Sequence, residues 1–295
     1  MDRRCVSLAD MAVRSLIAEA ELTPKPGLVD LRGGGTHTDM DVRLLRLSAH
    51  ALRPTFEDLA MIGALPMEDR RRRSALAAVG RRGEQQMMAV TGGVNTHRGA
   101  IWALGLAVGA AAATLSNEPG TILRRVARIA GHPDDAERDD RWDTVGARVR
   151  GRYRVGGAVD EARLGFPHAA AALAQLRRSR RAGAPEHNAQ LDALMASMAG
   201  LEDTCLLARG GAVALTHTRL AARAVLEAGG THIREGRRRL ERLDRQLLEH
   251  GLSPGGSADV LALALLLDTI ERRGIRPTGP EPDPRADQHT RKAPC

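Results

Sequence analysis

Apolar positions along this chain recur three and four residues apart, and almost nowhere do they alternate. Val6, Ala9, Val13, Leu16, Ile17 and Ala20 share one face of a helix over 6–22, and Pro24 and Pro26 forbid its continuation. The same period predicts helices over about 40–52, 54–63 and 66–91, the last two with proline at a tolerated first-turn position. Further helices are expected over 119–131, 134–153, from Pro167 to about 182, and over 185–200, 212–228, 231–250 and 260–270. The longest apolar run, 99–115, is rich in Gly and Ala and short for a membrane span. It reads as a buried helix in which Gly105 and Gly109 admit a close neighbour. The class is all-α: one compact multi-helix bundle over 1–275, then a proline-rich, charged stretch over 276–295 expected to be a disordered tail.

Four glycine-containing polar turns open into helices, at 33–41, 92–98, 203–211 and 253–259. The most concentrated lies in 91–106, TGGVNTHRGAIWALGL. There Asn95 or Thr96 is placed to cap the helix, and His97 and Arg98 follow in its first turn. A cation at that end opposes the helix dipole, and an anionic ligand would reverse the sign. In the first turn, Thr38 with Asp41 fits a capping box for a helix starting near Met40. That leaves His37, the three glycines and Asp39 unexplained; His37, Asp39 and Asp41 also form a possible ligand set for a hard cation such as Mg²⁺. Asp203 and Arg209 either pair structurally or serve a site. The turn at 253–259 presents backbone N–H groups to an anion, but without the lysine and spacing of a Walker loop. Four such turns meeting at one end of a bundle would form a site between helices.

The formal charge of +8 is almost wholly arginine, with lysine only at 25 and 292. Such a field favours anionic partners. A basic all-helical protein that binds nucleic acid or an acidic partner is therefore the competing class. Against it, the aromatics are only Phe56, Trp102, Trp142, Tyr153 and Phe166, too few for base-stacking platforms. Most of the arginine excess reads as genome composition on solvated faces, including Arg70–Arg73, which a helix spreads around its circumference. Lys25, held between two prolines, reads from its spacing as a linker lysine first, with a place where a compact ammonium is wanted as the alternative. Cys5, Cys205 and Cys295 form no paired pattern, and the N-terminus has no signal-peptide apolar core, so a cytoplasmic location is expected.

The segments 24–30 (PKPGLVD), 36–40 (THTDM) and 93–101 (GVNTHRGAI), Asp203-Thr204 with Arg209-Gly210-Gly211, and 253–259 (SPGGSAD) together resemble the motif set of the triphosphoribosyl-dephospho-CoA synthases. The segment 161–167 is similar too, and the matches run in family order from about residue 7 to 272. Arg98, Cys205 and the run 101–106 resemble the malonate decarboxylase branch more than the citrate lyase branch. Cys205 and Gly251 depart from the pattern, standing where asparagine is expected.

The resemblance implies that ATP donates its 5-triphosphoribosyl group to the 2′-hydroxyl of 3′-dephospho-CoA and that adenine leaves. The product would pass to a phosphoribosyl-dephospho-CoA transferase acting on an acyl-carrier protein. It implies no nucleic-acid or membrane partner. Such a transfer runs through an oxocarbenium-like state. Asp39, Asp41 and Asp203 are then candidates for Mg²⁺ binding or for stabilising that state, and His37 and His97 for acid–base work. Lys25, Arg98 and Arg209 are candidate phosphate partners, Asn95 and Thr96 substrate contacts, and Gly255, Gly256 and Ser257 donors of N–H groups to phosphate. Which carboxylate does what is left open.

Overall fold

Each helix starts and stops where local chemistry requires. In the computed structural model, which describes residues 2–134, 136 and 144–275, α1 (Arg3–Glu21) begins where the Asp2 carboxylate accepts from the Arg4 N–H at 2.9 Å. It stops at Leu22, two residues before Pro24. Then come α2 (Val42–Ala51), α3 (Arg53–Ala64), α4 (Asp69–Val90), α5 (Arg98–Thr114), α6 (Pro119–Ala130) and α7 (Val145–Tyr153). The chain ends with α8 (Gly157–Arg163), α9 (Pro167–Arg181), α10 (Glu186–Gly200), α11 (Thr204–Glu227), α12 (Arg234–Glu249) and α13 (Gly255–Arg273). Among the described residues there is no strand, only an isolated bridge between Asp30 and Gly33.

The expected all-α bundle is what forms, around two helices that are apolar on nearly every face. α5 is buried at every position from Ala103 to Ala112, and α13 from Val260 to Asp268. Such helices have no amphipathic stripe because neighbours cover them all round. α5 packs on α3, α6, α13 and α4, and its crossing with α3 uses glycine on both sides. A Cβ added at Gly63 would lie 2.3 Å from the Gly109 carbonyl oxygen and 2.8 Å from its Cα. Both are backbone atoms, so nothing flexible can yield. Gly63→Ala should therefore destabilise the fold by about 1–3 kcal/mol, read as a lower midpoint in thermal unfolding. An unchanged midpoint would mean that the crossing is looser than described.

Three expectations need correction. The helix over 134–153 is only α7: Thr144 caps it by accepting from Ala147 N–H at 3.1 Å, and Asp134 lies in a loop, held by Arg81 at 2.5 Å. Residues 135 and 137–143 lie outside the described residues, as does the stretch 276–295 read as a tail. The four arginines are not all solvated. Arg72 and Arg73 are each only 4 % exposed. Arg72 donates to the carbonyl of Leu65, at the end of α3, and to that of Met67 in the loop beyond, and Arg73 lies over Trp102, 4.9 Å from the ring centroid. Finally, Thr38 does not cap α2; Asp41 does, accepting from the Leu44 N–H at 2.9 Å. No single helix among the described residues is long and apolar enough to cross a membrane.

Candidate active site

The four polar turns come together. Residues from each of them line one cavity of about 630 Å³, which Glu19 and Lys25 close from the α1 side. A single carboxylate joins the last two turns. Asp203 caps α11, accepting from the N–H groups of Cys205 at 2.9 Å and Leu206 at 3.3 Å. The same carboxylate accepts from the first turn of α13: Gly256 N–H at 3.3 Å, Ser257 N–H at 2.8 Å and Ser257 Oγ–H at 2.9 Å. One charge thus answers the exposed donors of two helices, where their dipoles favour it. Burial still pushes its pKa above the usual carboxylate range, against the pull of the Ser257 N–H.

One turn into α13, Asp259 meets the start of α5. A Cβ on Gly99 would fall 1.9 Å from Asp259 Oδ2, so only glycine leaves room for this carboxyl. The Ala100 N–H serves it as donor. Enclosure by protein, then the nearby Glu19 and Asp203 carboxylates, hold its pKa well above the ordinary value. These surroundings favour the protonated form of Asp259, which lines the cavity. Cys205 lies nearby; burial, with Asp203 and Asp259, pushes its thiol pKa up, so it is no nucleophile.

Lys25 is 1 % exposed, and its ammonium donates to the Glu19 carbonyl at 2.6 Å and to Glu19 Oε1 at 2.5 Å. The Lys25 N–H in turn donates to Asp30 at 2.9 Å, which fixes the segment between the prolines. His97, 4 % exposed, stands just before α5 without capping it. Its Nδ1 lies 2.8 Å from Ser48 Oγ, and Ser48 Oγ accepts from Thr96 Oγ1 at 2.7 Å. Asn95 supplies the cap instead, accepting from the Arg98 N–H at 3.2 Å. Burial, then the charge of Lys25, lowers the His97 pKa to about 4.

His97 is therefore neutral in the fold at neutral pH. Between pH 6.5 and about 4 the unfolded chain takes up its proton while the folded one does not. Stability should be lost as pH falls through that window, by about 3 kcal/mol for a shift of this size. Equilibrium unfolding of His97→Gln should show a correspondingly shallower acid slope; an unchanged slope would mean the ring is charged in the fold.

Near solvent the cavity carries both signs, Arg98, Arg150 and Arg209 lining it together with Asp39, Glu84 and Glu202. Arg209 donates to the Gly251 carbonyl at 3.1 Å, and its guanidinium lies 3.4 Å from His37 Nδ1. His37 Nε2 is 3.1 Å from Ser253 Oγ, and Asp39, 58 % exposed at its side chain, stands 3.5 Å from His37 Nδ1. Burial, then Arg209, lowers the His37 pKa, so this ring too is neutral and able to accept a proton. Arg98 pairs with Glu84 at 2.9 Å, and Arg150 of α7 also lines the cavity. Gly251 adopts φ 63°, the left-handed region that glycine and asparagine tolerate best, which accounts for glycine where asparagine was expected.

Several site assignments change in detail. Asp41 is spent as a helix cap and does not line the cavity. The N–H groups of Gly256 and Ser257 already serve Asp203, so they are not open to a phosphate; Gly255 lines the cavity beside them. Lys25 is neutralised by Glu19, which removes it from the free phosphate partners. Asp39, Asp41 and Asp203 do not converge, and among the described residues no group of three or more His, Cys, Asp or Glu side chains is arranged to hold a metal. Sequence reasoning missed Glu19, Ser48 and Asp259. It also gave no role to Glu161, a buried cavity residue that holds His168 Nδ1 at 2.6 Å.

The model of the family described as ATP:dephospho-CoA triphosphoribosyl transferase matches residues 5–277. The chain belongs to this family. It is an enzyme, a triphosphoribosyl transferase. It is 51 % identical over 280 residues to a probable 2-(5''-triphosphoribosyl)-3'-dephosphocoenzyme-A synthase of Pseudomonas fluorescens, covering 91 % of this chain and 93 % of that one. Proteins of the same name from Pseudomonas paraeruginosa and Azotobacter vinelandii are each 52 % identical over 266 residues; each alignment covers 89 % of this chain, with 90 % and 91 % of the relatives. No solved structure matches.

Proposed function

We propose that this cavity transfers the 5-triphosphoribosyl group of ATP to the 2′-hydroxyl of 3′-dephospho-CoA, releasing adenine and giving 2′-(5″-triphosphoribosyl)-3′-dephospho-CoA. The observation that carries the reading is that one cavity brings acidic groups together with guanidiniums. It is lined by the buried Glu19 and Asp203 with Asp259, and by Arg150 and Arg209, beside the exposed Asp39 and Glu202 and the Arg98–Glu84 pair. A ribosyl oxocarbenium needs the first, and a triphosphate with a CoA pyrophosphate needs the second.

The bond between ribose C1′ and adenine breaks, and a bond from C1′ to the 2′-oxygen of dephospho-CoA forms. Asp259, whose surroundings favour its protonated form, is the group suited to give the departing adenine its proton, and His37, whose surroundings favour the neutral ring, is suited to take the proton of the incoming hydroxyl. Asp203, held rigid by its five donors, keeps a negative charge close to the developing positive one without reorganising. Mg²⁺ is proposed to arrive with the triphosphate, whose oxygens supply most of its ligands, and Asp39 is the one exposed carboxylate of the expected set that lines the cavity.

Asp39→Asn should then keep the melting temperature within a few degrees, a change of ~1 kcal/mol or less, because the side chain is exposed. It should lower kcat/KM on the order of a hundredfold at limiting Mg²⁺. Full activity would remove Asp39 from the site. The reaction itself is tested by chromatography of ATP and dephospho-CoA incubated with the protein. Free adenine that appears only when both are present is expected; ADP or AMP in its place would overturn the proposal.

We further propose the malonate decarboxylase carrier as the destination of the product, supported by Arg98, Cys205 and the run 101–106. The product should load that carrier, through the phosphoribosyl-dephospho-CoA transferase that uses it, in preference to the citrate lyase carrier. Equal loading would leave the branch unsupported.

A further inference from the structure

The cavity contains a polar atom that the fold leaves unanswered. His97 Nε2 is shut off from solvent and hydrogen-bonded to nothing among the described residues, on a ring that lines the cavity and is 4 % exposed. The ring's other nitrogen is engaged. Ser48 Oγ lies 2.8 Å from Nδ1, and Thr96 Oγ1 donates to Ser48 at 2.7 Å. Ser48 has one proton of its own. Thr96 donates to its oxygen, and His97 Nδ1 is the one acceptor within reach of that proton among the described residues, so the proton is directed to Nδ1. Nδ1 is then an acceptor, and the ring hydrogen of a neutral imidazole sits on Nε2. A buried N–H donor without an acceptor is costly, so a ligand that supplies one is favoured at this point.

The surroundings decide what kind of acceptor it is. The Lys25 ammonium is answered by Glu19, and the Ala100 N–H by Asp259. Asp203 and Asp259 add carboxyl groups to the same wall. A phosphate oxygen brought here would meet the Asp203 carboxylate, while the nearby Lys25 ammonium is already answered by the Glu19 carboxylate. An uncharged oxygen would not be repelled. In a nucleotide whose C1′ must lie among those carboxylates, the uncharged oxygens nearest to hand are the sugar hydroxyls, and bonds to a hydroxyl beside the reacting carbon strengthen as positive charge develops.

We infer that His97 is a neutral donor, through Nε2–H, to a ribose hydroxyl of the nucleotide, and that Ser48 is the positioning residue that fixes its tautomer. This rests on the ribosyl-transfer reading above. The lowered His97 pKa agrees with it, since the charged ring would carry a second proton on Nδ1 and break the bond from Ser48.

Two measurements test the inference. In the wild-type protein at pH 7, imidazole ¹⁵N resonances of His97 should show the proton on Nε2, and Ser48→Ala should weaken that preference. A ring protonated on Nδ1, or on both nitrogens, would overturn it. For affinity, ATP is compared with 2′-deoxy-ATP and 3′-deoxy-ATP by calorimetry. One deoxy analogue should bind roughly tenfold more weakly to the wild type, and His97→Ala should lose that discrimination. A wild type that does not discriminate, or a His97→Ala variant that still does, contradicts the inference. Should His97→Ala not fold, the wild-type tautomer and affinities decide alone. Neither readout needs turnover, so failure of the reaction itself would show separately, as absence of adenine.

Discussion

Asp259→Asn is expected to lower adenine release by on the order of a hundredfold to a thousandfold, while leaving the protein folded and able to bind ATP. The substitution keeps the shape of the side chain and removes its ionisable proton. Burial, then Glu19 and Asp203, raise the Asp259 pKa well above the ordinary value, so it is the cavity carboxyl best suited to act as an acid. The stability effect has a definite sign. A carboxyl with a raised folded pKa loses stability as pH climbs from its unfolded toward its folded value, so a neutral amide should leave the melting temperature at neutral pH equal or higher. Gly99→Ala is the companion. It removes no polar group, yet its methyl would occupy the space of Asp259 Oδ2, 1.9 Å away. It should lose comparable activity by displacing the carboxyl. An active Asp259→Asn enzyme, or one inactive only because it unfolds, would remove Asp259 from the chemistry.

Asp203→Ala should instead damage the fold. It takes the acceptor from four backbone N–H groups and one hydroxyl at the starts of α11 and α13. Loss of a helix cap and of buried hydrogen bonds to a charged group suggests about 2–4 kcal/mol. In a chain of this size that lowers the melting midpoint by about 3–6 °C. Asp203→Asn keeps one acceptor oxygen and should fall between. A midpoint unmoved in Asp203→Ala would show that the two helix ends do not depend on this carboxylate.

The bundle was legible because its signals are local. Helical periodicity, Pro24 with Pro26, the glycine break at 92–93 and the non-helical Gly211 that kinks α11 are each confined to a few residues. The meeting of the four turns was legible too, as a recurring pattern. What each side chain does there was less so, because the partners are far apart in sequence. Asp203 reads as a cap or a ligand until Gly256 and Ser257 arrive some fifty residues later. Glu19 reads as a polar-face residue of α1 until the chain turns back and buries Lys25 against it. Ser48 did carry a signal, a hydroxyl in line with Leu45 and Leu52 on the buried face of α2, but its partner His97 lies 49 residues away. The arginine run misled for the opposite reason. Composition suggested solvent, and only packing shows that Leu65, Met67 and Trp102 receive Arg72 and Arg73.

The claim on which all of this depends is that the cavity between the four turns takes up the nucleotide. Hydrogen–deuterium exchange of the full chain, with and without ATP and dephospho-CoA, tests it directly. Slower exchange is expected at 36–40, 95–103, 203–209 and 253–259, with α9 and α12 unchanged. Protection centred on the basic surface of α12, with those four turns exchanging as before, would contradict it.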